Sequence, residues 1–303
     1  MIKHILESQQ FDKRFLSDLF EKADELRQNS SDVLKGKILA TLFYEPSTRT
    51  RLSFESAMLK LGGKVIGTEN AREFSSVVKG ESLADSIRVI SSYVDCIVMR
   101  HNQSGAALEA AKVSNVPIIN AGDGSGQHPT QALLDVYTIY RELGRLDNLQ
   151  IAMVGDLSSG RTVRSLCYLL GKFQNNKIIF VSPANLRMGE DIKNYFFKHK
   201  VEFREEEELE KVLPLVDVAY MTRIQKERIS LEDYGLAKGK YVINSLNFNL
   251  IKPTSIIMHP LPHVEEIDLP INVEQEDSRV AYFRQAENGL YIRMALLSMI
   301  LRD

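Results

Sequence analysis

Short β-rich runs alternate with runs of helical period along most of the chain, and this alternation constrains the fold more than any other feature. The run at residues 37–44 (KILATLFY) is followed by a helical run at residues 51–61, and the same order repeats as far as residues 116–122. Strands that alternate with helices in this way form parallel sheets covered by helices. The sequence therefore predicts an α/β fold.

A long helical run over residues 128–144 divides the alternation into two parts, with proline at the favoured position in its first turn. Strand-like and helical runs alternate again from residue 149 onward. Because 303 residues exceed what one hydrophobic core usually serves, we expect two domains. The predicted boundaries are 1–130 and 131–285, each domain a mostly parallel sheet flanked by helices, with the long helix joining them.

Composition argues against several classes of protein. The formal net charge is -2, so the overall charge favours neither a nucleic acid nor a membrane surface as partner. Cys96 and Cys167 lie in apolar stretches without a partner at metal-ligand spacing, which is typical of buried thiols in a reducing compartment. Charges interrupt the first fifteen residues before a signal-peptide pattern can form, and no apolar run is long enough to span a membrane. We expect a cytoplasmic protein.

Residues 45–51 (EPSTRTR) connect a predicted strand directly to a predicted helix. The start of a helix offers unbonded backbone N–H groups and a positive dipole end, and here hydroxyl and guanidinium groups surround it. Phosphate suits such a site. Taken alone, however, the motif favours an ordinary Ser/Thr N-cap with two solvated arginines over a phosphate site.

Three further polar residues stand where ligands bind in α/β proteins. Arg100 ends the predicted strand at residues 96–100, and carboxyl ends of parallel strands carry ligands. His128 and Gln131 lie three residues apart in the first turn of the long helix, so both can project toward one point. A lone histidine at such a position is more often a cap or a surface residue.

Ser-Thr-Arg-Thr-Arg after a strand, followed by His-Pro-Thr-Gln at residues 128–131, resembles the signature of the aspartate and ornithine carbamoyltransferase family. The matching motifs occur in family order across nearly the whole chain. The resemblance implies a carbamoyl-phosphate site in which Thr50, Arg100 and His128 contact the carbonyl oxygen and Gln131 contacts the carbamoyl NH2. It implies that the phosphate or carbonyl oxygen is held by Ser47, Thr48, Arg49 and Thr50.

The loop at residues 77–82 (VVKGES) resembles a segment that aspartate-type members extend into the site of a neighbouring subunit. The resemblance implies that Ser75 and Lys79 act there in trans, and that the protein is a homotrimer. Ornithine-type members lack that lysine. Attached regulatory chains are possible on this reading, and a plain surface loop is the alternative.

Three positions match family residues that bind aspartate: Arg161, Arg223 and Gln225. Guanidinium groups recognise carboxylates through paired hydrogen bonds, and a cluster of cations suits a dianion while repelling the ammonium group of ornithine. A solvated helix start at residues 221–228 is the alternative. The resemblance also implies that Glu45, Arg161 and Arg228 form a network that closes the two domains.

Residues 259–262 (His-Pro-Leu-Pro) form the last matching motif. Ornithine-type members have a cysteine where Pro260 stands. The resemblance implies that Leu261 and Pro262 form a turn, with a cis peptide, whose leucine carbonyl faces the acceptor amine. A rigid turn without chemistry is the alternative. Spacing alone does not say where the apolar helix at residues 286–303 packs, and the resemblance implies that it returns to the first domain.

The implied activity is transfer of a carbamoyl group from carbamoyl phosphate to the amine of aspartate, without metal or organic cofactor, as the committed step of pyrimidine biosynthesis. A different amino acid as acceptor is one alternative, and a catalytically silent family-like subunit is another. A dinucleotide-binding turn at residues 154–163 is a third, although it lacks the G-x-G-x-x-G pattern.

His263 stands where aspartate-type members usually have arginine. Because histidine loses its positive charge near neutrality, we predict that activity falls as the pH rises through neutrality. A His263→Arg variant should keep its activity over that range. Initial rates of parent and variant between pH 6 and 9 test this, and superimposable pH profiles would refute it.

Overall fold

The computed structural model describes residues 2–29, 31–71, 80–224, 235 and 239–301. The chain forms two compact units, one made of Met1–Leu134 with Glu287–Asp303 and the other of Asp135–Ala286. Each unit contains a parallel sheet flanked by helices, which confirms the predicted fold class. The chain thus passes from the first unit to the second, and its last residues, from Glu287 onward, belong to the first unit again.

The first unit alternates strands and helices from its N-terminus. Its elements are α1 (Lys13–Gln28), β1 (Ile38–Phe43), α2 (Thr48–Lys60), β2 (Lys64–Thr68), α3 (Leu83–Ile90), β3 (Cys96–His101), α4 (Ala106–Val113), β4 (Ile118–Asp123) and α5 (Pro129–Leu143). The strands form a parallel sheet in the order β2-β1-β3-β4. β4 is buried along its whole length, as expected for a strand with helices on both faces of its sheet.

The second unit repeats this plan. Its elements are β5 (Gln150–Val154), α6 (Arg161–Leu170), β6 (Lys177–Val181), α7 (Glu190–His199), β7 (Glu202–Glu206), α8 (Leu209–Val212), β8 (Val218–Met221), β9 (Ile243–Asn244), β10 (Ile256–Met258), β11 (Ile267–Asp268), α9 (Ile271–Glu276) and α10 (Tyr282–Leu301). Five strands form a parallel sheet in the order β10-β8-β5-β6-β7, and β11 pairs with β9. The division between the units falls within α5 and α10.

Each large sheet contains one point at which the strand order reverses. In the first sheet β2 lies on one side of β1 and β3 on the other, with Phe43 opposite Arg100 at their carboxyl ends. In the second sheet β6 and β8 lie on opposite sides of β5, with Val154 opposite Met221. Connections that leave such a pair of strands diverge and open a crevice, which is the usual ligand position in open α/β sheets.

Three predicted elements differ in extent. The C-terminal helix begins at Tyr282 and not at residue 286 as predicted. The earlier start was missed because polar and charged residues in its first turns hide the apolar period. The run at residues 241–246 (YVINSL) indicates a strand, but the strand contains only Ile243–Asn244. The sequence at residues 206–214 (EEELEKVLP) indicates a helix, but the helix contains only Leu209–Val212. There the side chain of Glu206 accepts the backbone N–H groups of the next two residues and so competes with the helix.

Within the described ranges, no helix has both the length and the apolar character that crossing a bilayer requires.

Two adjacent phenylalanines on α7 give a matched test of the second core. Phe196 is 0% exposed and stacks on Phe180, whereas Phe197 is 84% exposed. We expect Phe196→Ala to lower the free energy of unfolding by about 3–5 kcal/mol, through lost burial and the cavity left behind. Phe197→Ala should change it by less than about 0.5 kcal/mol. Denaturant unfolding of both variants measures this, and equal losses would contradict the packing.

Candidate functional site

The start of α2 presents hydroxyl and guanidinium groups at the carboxyl end of β1. Ser47 occupies the N-cap position, yet its side chain makes no capping hydrogen bond, which argues against the ordinary N-cap alternative. Thr50 is buried, while Thr48 and Arg49 are exposed. Although the residue is exposed, nearby protein atoms partly desolvate the Arg49 guanidinium and lower its pKa from the ordinary value, but an arginine so affected keeps its charge at neutral pH. The helix start is therefore suited to an anion.

Arg100 lies beside this helix start, at the reversal point of the first sheet. Its backbone oxygen accepts the N–H of Tyr44 at 2.9 Å, which fixes the neighbouring strand ends together. Its Nη1 donates to the Ser47 Oγ at 3.3 Å, and its Nε lies 3.3 Å from Glu45 Oε2 in an ion pair. The structure thus brings Glu45, Ser47 and Arg100 together, and the carboxylate orients the guanidinium.

His128 and Gln131 are both almost fully buried, at 4% and 8% exposure, and lie at the first turn of α5. The Gln131 N–H donates to the His128 carbonyl oxygen at 3.0 Å. The Thr130 hydroxyl lies 3.4 Å from His128 Nδ1. Since α5 follows β4, which adjoins β3, this turn begins at the same edge of the sheet as Arg100.

Asp123 supports the loop before His128 and was not predicted. One carboxylate oxygen accepts the Gln127 N–H at 3.0 Å, and the other accepts the Gly105 N–H at 2.8 Å. The side chain therefore ties together the two loops that follow β3 and β4. An acidic residue at the end of a predicted strand was the available signal in the sequence.

The second unit places two arginines at the reversal point of its own sheet. Arg161 is the first residue of α6, which follows β5, and Arg223 lies just beyond β8. The Thr222 N–H and hydroxyl both donate to the Val154 carbonyl oxygen, at 2.8 and 2.7 Å. Gly155 has a φ of +116°, and a Cβ there would lie 2.2 Å from the Thr222 carbonyl oxygen. The segments that follow β5 and β8 therefore approach so closely that this position requires glycine.

The His-Pro-Leu-Pro turn leaves β10, the strand next to β8. Its Leu261-Pro262 peptide is cis, as predicted, and Leu261 has a left-handed φ of 49°. The Leu261 N–H donates to His259 Nδ1 at 2.8 Å. This turn, Arg161 and Arg223 therefore follow three adjacent strands of one sheet.

The described residues contain no group of three or more His, Cys, Asp and Glu side chains arranged to hold a metal ion. Cys96 and Cys167 are both buried, and burial raises the pKa of each thiol far above its ordinary value. Neither thiol therefore has the thiolate character that nucleophilic catalysis requires.

Comparison with known proteins identifies the family. A family model described as aspartate/ornithine carbamoyltransferase, carbamoyl-P binding domain, matches residues 3–141, and its partner, the Asp/Orn binding domain, matches residues 147–300. The chain belongs to the aspartate/ornithine carbamoyltransferase family.

Relatives within this family are similar over almost the entire chain. The chloroplastic aspartate carbamoyltransferase of Arabidopsis thaliana is 54% identical, covering 99% of this chain and 78% of that protein. The catalytic subunit of aspartate transcarbamoylase from M. jannaschii superposes with a TM-score of 0.91 at 47% identity, covering 99% and 98%. The Trypanosoma cruzi enzyme in complex with carbamoyl phosphate and aspartate gives 0.91 at 39% identity, covering 99% and 95%.

Four residues that the family resemblance singled out, namely Ser75, Lys79, Gln225 and Arg228, lie outside the described residues. His263, the departure from the family pattern, lies with Nε2 3.5 Å from Glu274 Oε1 and packs against Tyr282. Its environment thus offers a carboxylate partner for a protonated ring.

The two arginines of the 45–51 motif make different contacts, which gives a controlled test of the anion site. Arg51 contacts Glu55 at 3.3 Å and Glu69 at 3.0 Å, and its charge is engaged there. We expect Arg49→Met to weaken binding of inorganic phosphate at least about tenfold, since a charge-assisted contact is lost. Arg51→Met should change it less than about threefold.

Calorimetric titration of phosphate into both variants at low ionic strength measures these affinities. An equal loss in the two variants would mean that only the overall charge of the helix start matters.

Proposed function

We propose that the protein transfers a carbamoyl group from carbamoyl phosphate to the α-amine of L-aspartate, releasing N-carbamoyl-L-aspartate and phosphate. The proposal rests on the chemical groups at the reversal points of the two sheets. One sheet presents a helix start with hydroxyls and arginines at its reversal point, and the other presents two arginines beside a leucine-proline turn. The first suits a phosphate group, and the second suits a dicarboxylate. The relatives named above are aspartate carbamoyltransferases.

In this proposal the first unit binds carbamoyl phosphate, with boundaries near those predicted at 1–130 and 286–303, and the second, near 131–285, binds aspartate. The phosphate is held by the N–H groups, hydroxyls and guanidinium of the α2 start. These groups come from Ser47, Thr48, Arg49 and Thr50. Gln131, which has both a donor and an acceptor, contacts the carbamoyl NH2.

The chemical step is attack by the deprotonated aspartate amine on the carbonyl carbon. Negative charge then builds on the carbonyl oxygen, and donors already in place lower the barrier because they need no reorganisation. We assign that role to Thr50, Arg100 and His128. The ion pair with Glu45 supports the assignment of Arg100, since it limits the motion of the guanidinium. The tetrahedral intermediate collapses with loss of phosphate, which leaves with the proton of the amine.

Aspartate rather than ornithine is the proposed acceptor. Arg161 and Arg223 match the two carboxylates of aspartate in charge, and either would repel a second ammonium group. Gln225 is assigned the remaining polar contact. The Leu261 carbonyl, in the turn with Pro262, accepts a hydrogen bond from the attacking amine.

The assembly and surroundings of the enzyme are part of the same proposal. Ser75 and Lys79 serve the site of a neighbouring subunit, which requires an oligomer, and we propose a homotrimer. Glu45, Arg161 and Arg228 take part in closure around the substrates. A cytoplasmic enzyme of pyrimidine biosynthesis is proposed, with regulatory chains as possible partners, while the relatives from plants are named as chloroplastic.

The direct test incubates the purified protein with carbamoyl phosphate and either aspartate or ornithine, and measures the carbamoylated product. We expect product with aspartate and at most a trace with ornithine. Product with ornithine alone would identify a different acceptor. No product with either amine would favour the silent-subunit alternative.

Arg223 provides a second test of the acceptor. Removing one half of a desolvated charge pair costs on the order of 2–5 kcal/mol, so Arg223→Met should raise KM for aspartate about thirtyfold or more. KM for carbamoyl phosphate should stay within about threefold. Arg204→Met, at an exposed position on β7, is the matched control and should alter neither constant. Unchanged aspartate saturation in Arg223→Met would remove the basis for this acceptor.

A further inference from the structure

His259 is a buried histidine that the mechanism above does not use. It directly follows β10, is 2% exposed, and lies two residues before Leu261. Its Nδ1 accepts the Leu261 N–H at 2.8 Å. An atom that accepts an N–H bond carries a lone pair, so the ring proton must reside on Nε2. The ring can therefore hold the Leu261 N–H only while Nδ1 is unprotonated.

Glu266 faces the other ring nitrogen. Its Oε1 lies 2.8 Å from His259 Nε2, off the axis of the ring N–H, so the carboxylate lies beside that nitrogen without a linear hydrogen bond. Burial alone would raise the pKa of Glu266, but the histidine contact and nearby backbone N–H groups outweigh it and hold the pKa below its ordinary value. The carboxylate therefore remains charged and favours the proton on Nε2.

A second buried contact fixes the backbone of the same residue. The His259 N–H donates to Gln285 Oε1 at 2.8 Å, and Gln285 Nε2 donates to Asp135 Oδ1 at 2.6 Å. The other oxygen of Asp135 accepts the Tyr220 hydroxyl at 2.7 Å. Gln285 and Asp135 are 1% and 0% exposed, so this series of hydrogen bonds is shielded from water. A shielded and satisfied polar network is rigid.

Leu261 needs such support. A branched, non-glycine residue at φ 49° lies in the left-handed region, which costs roughly 1–2 kcal/mol relative to ordinary backbone conformations. Surrounding contacts must therefore hold it there. The orientation of the Leu261 carbonyl depends on that conformation, because the backbone dihedrals of a residue set the direction of its C=O group.

We propose that His259, oriented by Glu266 and Gln285, is a positioning residue for the acceptor amino acid: it holds the Leu261 N–H so that the Leu261 carbonyl faces the incoming amine. The inference rests on the proposed function, in which that carbonyl receives the aspartate amine. His259 touches neither substrate in this account and acts only through Leu261.

Two substitutions at one position separate positioning from packing. Asparagine places a carbonyl oxygen the same number of bonds from the backbone as Nδ1, so His259→Asn keeps an acceptor for the Leu261 N–H. His259→Leu keeps apolar volume without any acceptor. We expect KM for aspartate to rise about ten- to hundredfold in His259→Leu, as for an unsatisfied buried donor. His259→Asn should recover most of that loss, and calorimetric affinity for carbamoyl phosphate should be unchanged in both.

The outcomes distinguish this inference from the proposed function. A parent protein that forms no carbamoyl-aspartate would overturn the proposed function, and this role with it. An active parent whose Asn and Leu variants share one KM for aspartate would overturn only the role of His259, since a purely packing role does not discriminate between them.

Should neither variant fold, amide hydrogen exchange of the parent decides instead. Protection of the Leu261 N–H is expected, and exchange at the rate of an unstructured amide would overturn the proposal.

Discussion

The parallel pairing of β1 with β3 and of β5 with β8 is the constraint on which the rest of the structure depends. In each pair the strands end at the same edge while their connections run in opposite directions. Phe43 thereby lies opposite Arg100, and Val154 opposite Met221. Residues far apart in the chain are thereby brought to one crevice in each sheet. The same geometry in both units explains how one architecture can present the two anion sites that we propose.

Any attraction of this protein for anions depends on local groups rather than on its overall charge. A net charge of -2 gives no general attraction for anions. In the proposed sites, attraction arises instead from a helix start and from guanidinium groups. Glu45 beside Arg100 shows the compromise involved, because a carboxylate that orients the guanidinium also offsets part of its charge. Asp123 instead accepts the backbone N–H groups of Gly105 and Gln127, and so holds the loop before His128 in place.

Much of the fold could be predicted because the spacing of apolar residues indicates which face of each helix or strand is buried. The strands before the two sites and the start of α5 at Pro129 follow from apolar runs and proline placement. Short elements were less predictable. α8 is reduced to four residues because Glu206 bonds the backbone ahead of it, and such local competition is invisible to a periodicity count. The residues to which we assign substrate contacts were suggested by motif order, whereas Asp123, Gln285 and Glu266 were not.

The sequence by itself determined the class of fold, the family and the chemical types of group available for an anion, since these depend on local pattern and on residue identity. Only the tertiary structure decided which arginine of the 45–51 motif is engaged elsewhere, and that His259 holds the turn at Leu261. Those decisions depend on distances between residues from separate strands and helices. Such distances are set by packing, and a linear sequence contains no direct record of them.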